Sequence, residues 1–107
     1  MEVHRELGPG FKEIIYKDAL KYEFKEAGIP YLRETCYKIP YKKIVLERRY
    51  FADFVLYGSI ILEAKATSMI VDSFTGQTLN YLKASGLHLG IIANFGQVSF
   101  TSKRVVF

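Results

Sequence analysis

The segment from Tyr50 to Ala66 constrains this chain more than any other. Two apolar runs, Tyr50–Tyr57 and Ile60–Ala66, flank Gly58-Ser59 and read as two strands joined by a turn. Asp53, Glu63 and Lys65 interrupt these runs. Charge inside such strands is costly unless it is paired, hydrated or held by a metal. Glu63 and Lys65 are two apart, so their side chains leave one face of the strand. With Asp53 on the neighbouring strand, the two carboxylates can meet across the ladder, where they repel unless a cation lies between them. Oxygen ligands of this kind favour Mg²⁺ or Mn²⁺, with water and substrate phosphate filling the remaining positions. Lys65 could then orient or activate the attacking water, or stabilise charge developing on phosphate. A strand-to-strand Asp–Lys or Glu–Lys ion pair would explain the same residues without any chemistry.

The remaining elements give this pair its surroundings. Gly8-Pro9-Gly10 turns the chain into a helix through about Ala27, closed by Gly28 and Pro30. Tyr16, Leu20, Phe24 and Ala27 form its apolar stripe, widened by Ile15 and Ala19, with Lys17, Asp18, Lys21 and Lys25 on the wet face. Glu13 projects into that stripe, which favours a site role over the alternative, an acidic first-turn residue stabilised by the helix dipole. Tyr31–Ile39 reads as a strand that Pro40 ends or bends, and Tyr41–Leu46 as a short irregular strand with a basic rim. A second helix spans about Asp72–Ser85, capped by Gly86. Leu87–Asn94 is a continuous apolar strand covered on both faces, followed by the turn Asn94-Phe95-Gly96 and an edge strand over Val98–Val106. This order predicts a single α/β domain over residues 1–107, a central mixed sheet flanked by two main helices. Gln77 and Tyr81, four apart on the second helix, share a face. They can reach metal-bound water, phosphate or a base; alternatively Tyr81 packs on the sheet beside Leu82 and Gln77 is simply exposed.

Composition narrows the functional classes. Half of the 107 residues are hydrophobic and 24% are charged, which suits a folded domain. No apolar run approaches the roughly 20 residues that cross a bilayer, and Glu2, His4, Arg5 and Glu6 do not form a signal-peptide pattern. The single Cys36 permits no internal disulfide and fits a reducing cytoplasm; its expected place is a buried or half-buried strand position. The net charge is only +4, but Lys38, Lys42, Lys43, Arg48 and Arg49 cluster ahead of the acidic motif. Basic surroundings of this kind suit a polyanionic substrate, although solvated surface lysines account for the charge equally well. His4, near a frayable terminus, and His88 lack partners at zinc-ligand spacing. Gly8-Pro9-Gly10 lacks the lysine of a phosphate-binding loop, and no Ser-His-Asp arrangement suggests acyl transfer.

Five motifs in order carry a resemblance. Gly10-Phe11-Lys12-Glu13-Ile14-Ile15-Tyr16 fits a Gly-x-x-Glu-x-x-Tyr signature, and it is joined by Ala52-Asp53-Phe54, Glu63-Ala64-Lys65, Gln77–Lys83 and Gly90–Gly96. In these the chain resembles the GxxExxY family of the PD-(D/E)xK nuclease superfamily, over Gly8 to Val106. The Gln77-x-x-x-Tyr81 element is similar to that of RecB-type nucleases. The resemblance implies a restriction-endonuclease-like core and a phosphodiesterase site using Mg²⁺ or Mn²⁺ on DNA, with RNA as the alternative. It further implies a role in repair, recombination or mobile-element defence. It assigns metal binding to Glu13, Asp53, Glu63 and the backbone carbonyl of Ala64. Lys65 serves catalysis, Gln77 positions substrate or water, and Gln77, Tyr81 and Lys83 contact substrate. Phe74 departs from the pattern, since related sequences often carry His there, the place of a second metal or proton-handling group. Two other readings fit the same residues. One is a non-catalytic nucleic-acid-binding or assembly module that keeps the fold. The other is a structural homodimer whose final strand pairs with its mate.

Overall fold

In the computed structural model, which covers Met1–Phe107, the chain forms three helices and five strands. In order they are α1 (Glu2–Leu7), α2 (Glu13–Ala27), β1 (Tyr31–Tyr41), β2 (Ile44–Leu56), β3 (Ile60–Lys65), α3 (Asp72–Ser85), β4 (Leu89–Asn94) and β5 (Thr101–Val106). The strands make one sheet in chain order. β3 and β4 are parallel because α3 carries the chain back along the sheet between them; the other neighbours are antiparallel. This is the α/β restriction-endonuclease-like arrangement, with β5 on an edge and β4 inside.

Alternation along the strands builds a core on each face. Tyr16, Leu20 and Phe24 of α2 pack with Phe54, Leu62, Ala64, Ala93 and Phe95. Tyr81 and Leu82 of α3 pack with Ala52, Val55, Ile61, Ile92 and Val105. Adjacent residues Ile61 and Leu62, and again Ile92 and Ala93, therefore serve opposite layers. Each buried Leu or Ile contributes about 1.5–3 kcal/mol, so Leu20, 1% exposed, is a main anchor of α2.

Several expectations are corrected. Helix α1 was not legible as such; it buries Val3 and His4, and the His4 ring lies 2.7 Å from the Gln97 carbonyl oxygen, so this terminus is tied down. Ile15 and Ala27 are exposed, leaving a narrower stripe on α2, while Lys17 turns inward with its side chain only 14% exposed. Tyr41–Leu46 is not a strand of its own: Tyr41 ends β1, Lys42 and Lys43 make the turn, and Ile44–Leu46 runs on with Tyr50–Leu56 as one strand, β2, 13 residues long, which forms a hairpin with β1. Pro40 does not end β1. It is tolerated because β1 is an edge strand, and the pairing register shifts between Lys38 and Pro40. Lys42, at φ 53°, takes the left-handed position of the hairpin turn. Cys36 lies on β1 but is exposed.

Candidate active site

The site lies where two strands fork. β2 and β3 pair as far as Phe54↔Leu62, after which β2 runs on with β1 alone. The next residues in register are Asp53 and Glu63. Ala64 N–H donates to Asp53 Oδ2 at 2.8 Å, and Asp53 N–H donates to Glu63 Oε1 at 3.4 Å. Each carboxylate thereby accepts from a backbone donor that the interrupted ladder leaves without its usual partner. Asp53 is 5% exposed and Glu63 2%. The Lys65 carbonyl accepts from Phe95 N–H on the β4 side. Ala64 therefore presents its own backbone groups to the β2 side, toward Asp53.

Two buried carboxylates this close cannot both ionise freely. Burial, and then the charge of Asp53, push the Glu63 carboxyl up to about 9. Asp53 keeps its charge company differently: Lys17 Nζ sits 2.7 Å from its Oδ1. The same ammonium lies 3.6 Å from Glu34 Oε1 and 3.8 Å from Glu13 Oε1. Burial acts to lower the Lys17 pKa, but the hydrogen bond and charge of Asp53, with Glu34 and Glu13, outweigh it and raise the group.

Glu34 occupies a notable position. It stands opposite Asp53 in the β1–β2 register, between the pairs Arg33↔Phe54 and Thr35↔Ala52. Its φ of 53° is left-handed in the middle of a strand, a strain of about 1–2 kcal/mol for a residue with a Cβ. The strand changes face there. Before it, Tyr31 packs on Phe24 and Arg33 pairs with Asp18, both on α2; after it, Tyr37 packs with the core under α3.

Beside the carboxylates, Lys65 Nζ donates to Gln77 Oε1 at 3.1 Å and lies 4.7 Å from the centre of the Phe74 ring. Phe74, where a His was the alternative pattern, thus holds the lysine by a cation–π contact. Tyr81 is buried and packs edge-on against Tyr50 with ring centres 5.3 Å apart. Burial, with Glu63, Asp53 and Tyr50 around it, pushes its hydroxyl up to about 12. Of the residues singled out in the sequence, the fold gathers Asp53, Glu63, Ala64, Lys65, Gln77 and Tyr81 in one region. Two are placed apart. Glu13, with a side chain 41% exposed, meets Lys17 one turn along α2, and Lys17 lies between it and Asp53. No three carboxylate, imidazole or thiolate groups close on a common point. Lys83 reaches over the Phe107 ring at 5.8 Å and lines a cleft with Ile39, Pro40, Tyr50, Asn80 and Ala84.

Lys17 and Glu34 are the residues that sequence reasoning missed. Lys17 is four residues after Glu13, which signals their pairing, but its reach to Asp53 depends on how α2 crosses the sheet. Glu34 needed the β1–β2 register. Two further motif residues are structural. Tyr16, fully buried, donates to the Gly8 carbonyl at 2.6 Å and accepts from Phe11 N–H, closing the loop before α2, and it stacks on Phe95 at 4.7 Å. Asn94, also fully buried, bonds both Thr67 N–H and Thr67 C=O, clamping the segment after Lys65 to the end of β4.

The donor set of two carboxylates and a neighbouring carbonyl is hard-oxygen chemistry, which fits a divalent ion such as Mg²⁺ or Mn²⁺. Burial and the Asp53 charge, which hold the Glu63 carboxyl up, are both effects that a bound divalent cation would offset. The model of the PD-(D/E)XK nuclease superfamily matches residues 1–105. With 105 residues matched, a sheet of this order and the carboxylate pair at its fork, the chain belongs to the PD-(D/E)XK nuclease superfamily. Members of that superfamily are generally nucleases and typically use divalent metals. The backbone is similar to the crystal structure of SSO0001, with a TM-score of 0.71 at 17% identity, covering 86% of this chain and 48% of that one. The chain thus spans about half the length of that protein, and the likeness is one of fold. Comparison with curated proteins gives no match. No helix is long and apolar enough to cross a membrane.

Proposed function

We propose that this protein is a Mg²⁺- or Mn²⁺-dependent nuclease that hydrolyses DNA phosphodiester bonds, with Asp53, Glu63 and the Ala64 carbonyl holding the ion. The observation that carries this reading is the buried Asp53/Glu63 pair, each carboxylate accepting from a backbone N–H of the other's strand, with Lys65 two residues after Glu63. Bound there, a divalent ion supplies positive charge to phosphate and acidifies water. The chain's own residues do the rest. Lys65 presents N–H donors from Nζ to the attacking water or to the oxygens on which charge develops. Gln77 Oε1 and the Phe74 ring fix that ammonium in place. The Tyr81 hydroxyl stays protonated through neutral pH and is available as a donor. Glu13 acts at the rim, holding Lys17 from the side opposite Asp53. The Gly10, Glu13 and Tyr16 spacing supports the GxxExxY branch of the superfamily. The test is cleavage of labelled DNA, with RNA in parallel, by wild type, Lys65→Ala and Asp53→Asn in Mg²⁺ or Mn²⁺. Metal-dependent cutting of DNA lost in both variants is expected. Equal activity in all three, or none on any substrate, would overturn the reading.

One observation favours a second reading, a nucleic-acid-binding module that no longer cuts. The Lys17 ammonium occupies the neighbourhood of Asp53 at 2.7 Å, where a cation would otherwise sit. On that reading DNA binding falls with salt, survives Asp53→Asn, and calorimetric titration with Mn²⁺ gives no heat that depends on Asp53 or Glu63.

A further inference from the structure

The hairpin formed by β1 and β2 projects beyond the two-layered body. From Pro40 to Arg48 every residue is exposed, and neither face of the ribbon is covered by a helix. The molecule is correspondingly elongated, 48 × 31 × 23 Å. Between Lys38 and Arg49 the ribbon carries Lys38, Lys42, Lys43, Arg48 and Arg49 against Glu47 alone, an excess equal to the net +4 of the whole chain. The rest of the protein is therefore balanced, and all of its excess positive charge lies on one arm. The tip also exposes Tyr41, Ile44 and Val45 at 55%, 59% and 50%. An apolar tip alone would suit a second copy of this chain, but two such arms would repel each other, whereas a polyanion complements them.

The arm leads to the carboxylates. Its base contributes Ile39, Pro40 and Tyr50 to a cleft of about 440 Å³ whose other wall is Asn80, Lys83 and Ala84 of α3. Tyr50 touches Tyr81, the ring next to Glu63. Lys83 on the cleft wall and Lys65 beside Gln77 add positive charge at two further points near α3. A two-stranded ribbon also has the width that the major groove of a B-form duplex admits. At about 3.3 Å per residue, the ten residues from Lys43 to Asp53 place the turn roughly 30 Å from the site. At about 3.4 Å per base pair that distance corresponds to roughly nine base pairs.

We propose that the β1–β2 hairpin is a gripping arm for duplex nucleic acid, holding the phosphate backbone on the flank of the strand presented to Asp53 and Glu63. The assignment of that strand rests on the nuclease reading; the grip itself is measurable without cleavage. The experiment is fluorescence anisotropy in EDTA across a salt series. It compares wild type with the combined variant Lys42→Gln, Lys43→Gln, Arg48→Gln and Arg49→Gln. Loss of four phosphate contacts lowers the slope of log K against log salt by about 3–4 and weakens binding at least about tenfold at moderate salt. All four side chains lie on the projecting ribbon, and an unchanged melting temperature verifies the fold. A second measurement on wild type alone needs no variant: a duplex of about 14 base pairs binds tighter than one of about 6 base pairs or a single strand of equal length. An unchanged salt slope in the variant overturns the proposal, as does equal wild-type affinity for duplex and single strand. So does a variant that loses self-association in sedimentation while keeping its DNA affinity, which would make a second copy the occupant. If wild type binds as described but cuts nothing in Mn²⁺, the nuclease reading fails and the arm stands. If wild type cuts and the variant binds equally well, only the arm fails.

Discussion

Lys17 offers the sharpest test of how the buried charges balance. The substitution Lys17→Met removes the ammonium 2.7 Å from Asp53 Oδ1 and keeps most of the apolar stem. Asp53 is then left with the Ala64 N–H at 2.8 Å and with Glu63 beside it, inside a site where its side chain is 8% exposed. Removing one partner of a buried pair costs about 3–5 kcal/mol, because the other charge stays desolvated. Lys17 is itself 14% exposed, and its further partners Glu13 and Glu34 are 41% and 49% exposed, so they recover hydration when it goes. We therefore expect the low end, about 3 kcal/mol, which for a chain of this size lowers the melting temperature by roughly 12 °C in EDTA. A divalent ion between Asp53 and Glu63 replaces the missing charge. Ligand at about 100 times its Kd adds about 2.7 kcal/mol, so saturating Mn²⁺ restores most of the deficit. The variant also gains more from Mn²⁺ than wild type, in which Lys17 competes for Asp53. The assay is a thermal melt of both proteins in EDTA and in Mn²⁺. An unchanged melting temperature in EDTA, or a smaller metal-induced rise in the variant than in wild type, refutes the reasoning.

Other consequences are as direct. In the metal-free protein Glu63 holds a proton to about 9 that the unfolded chain releases near 4.5, so stability falls as pH rises between those values. Glu63→Gln should flatten that slope in thermal melts across pH in EDTA; an unaltered slope would remove Glu63 as its source. Lys65→Met should cut cleavage by about 10²–10³-fold or more while leaving the calorimetric Mn²⁺ isotherm in place, and wild-type turnover in this variant would take Lys65 out of the chemistry. Gly96→Ala would bring a Cβ to 2.6 Å from the Ala66 carbonyl carbon and closer still to the Thr67 backbone. A backbone clash of that kind cannot be relieved by a rotamer, so we expect a loss of about 3 kcal/mol or more in denaturant unfolding; a near-neutral effect would mean that the Asn94 clamp tolerates movement.

Much of this was legible because charge and apolar pattern conflict in the sequence. Asp53, Glu63 and Lys65 stood out as ionisable groups inside strands, and the fold brings both carboxylates together from neighbouring strands, although the fork that buries them was not foreseen. Helix α3 matched its expected bounds because Gly86, at φ 75°, adopts the left-handed cap that glycine favours. Lys17 was hidden for the opposite reason. Helical periodicity puts a lysine between two apolar rows on the wet side, and only the crossing of α2 over the β1–β2 ladder lets its long stem reach Asp53. Glu34 was equally opaque, since its left-handed φ arises from long-range pairing and nothing local calls for it. Helix α1 is short, 6 residues, and depends on tertiary contacts of Val3 and His4. The long β1–β2 hairpin was broken in two by Pro40, whose cost vanishes on an edge strand.

The most direct measurement is a crystal structure of wild type soaked in Mn²⁺, read by anomalous scattering. The central claim predicts a peak between the Asp53 and Glu63 carboxylates, within coordination distance of the Ala64 carbonyl, with the Lys17 ammonium displaced from Asp53 toward Glu13 and Glu34. A site without a peak at saturating Mn²⁺, with Lys17 still bonded to Asp53, would contradict it.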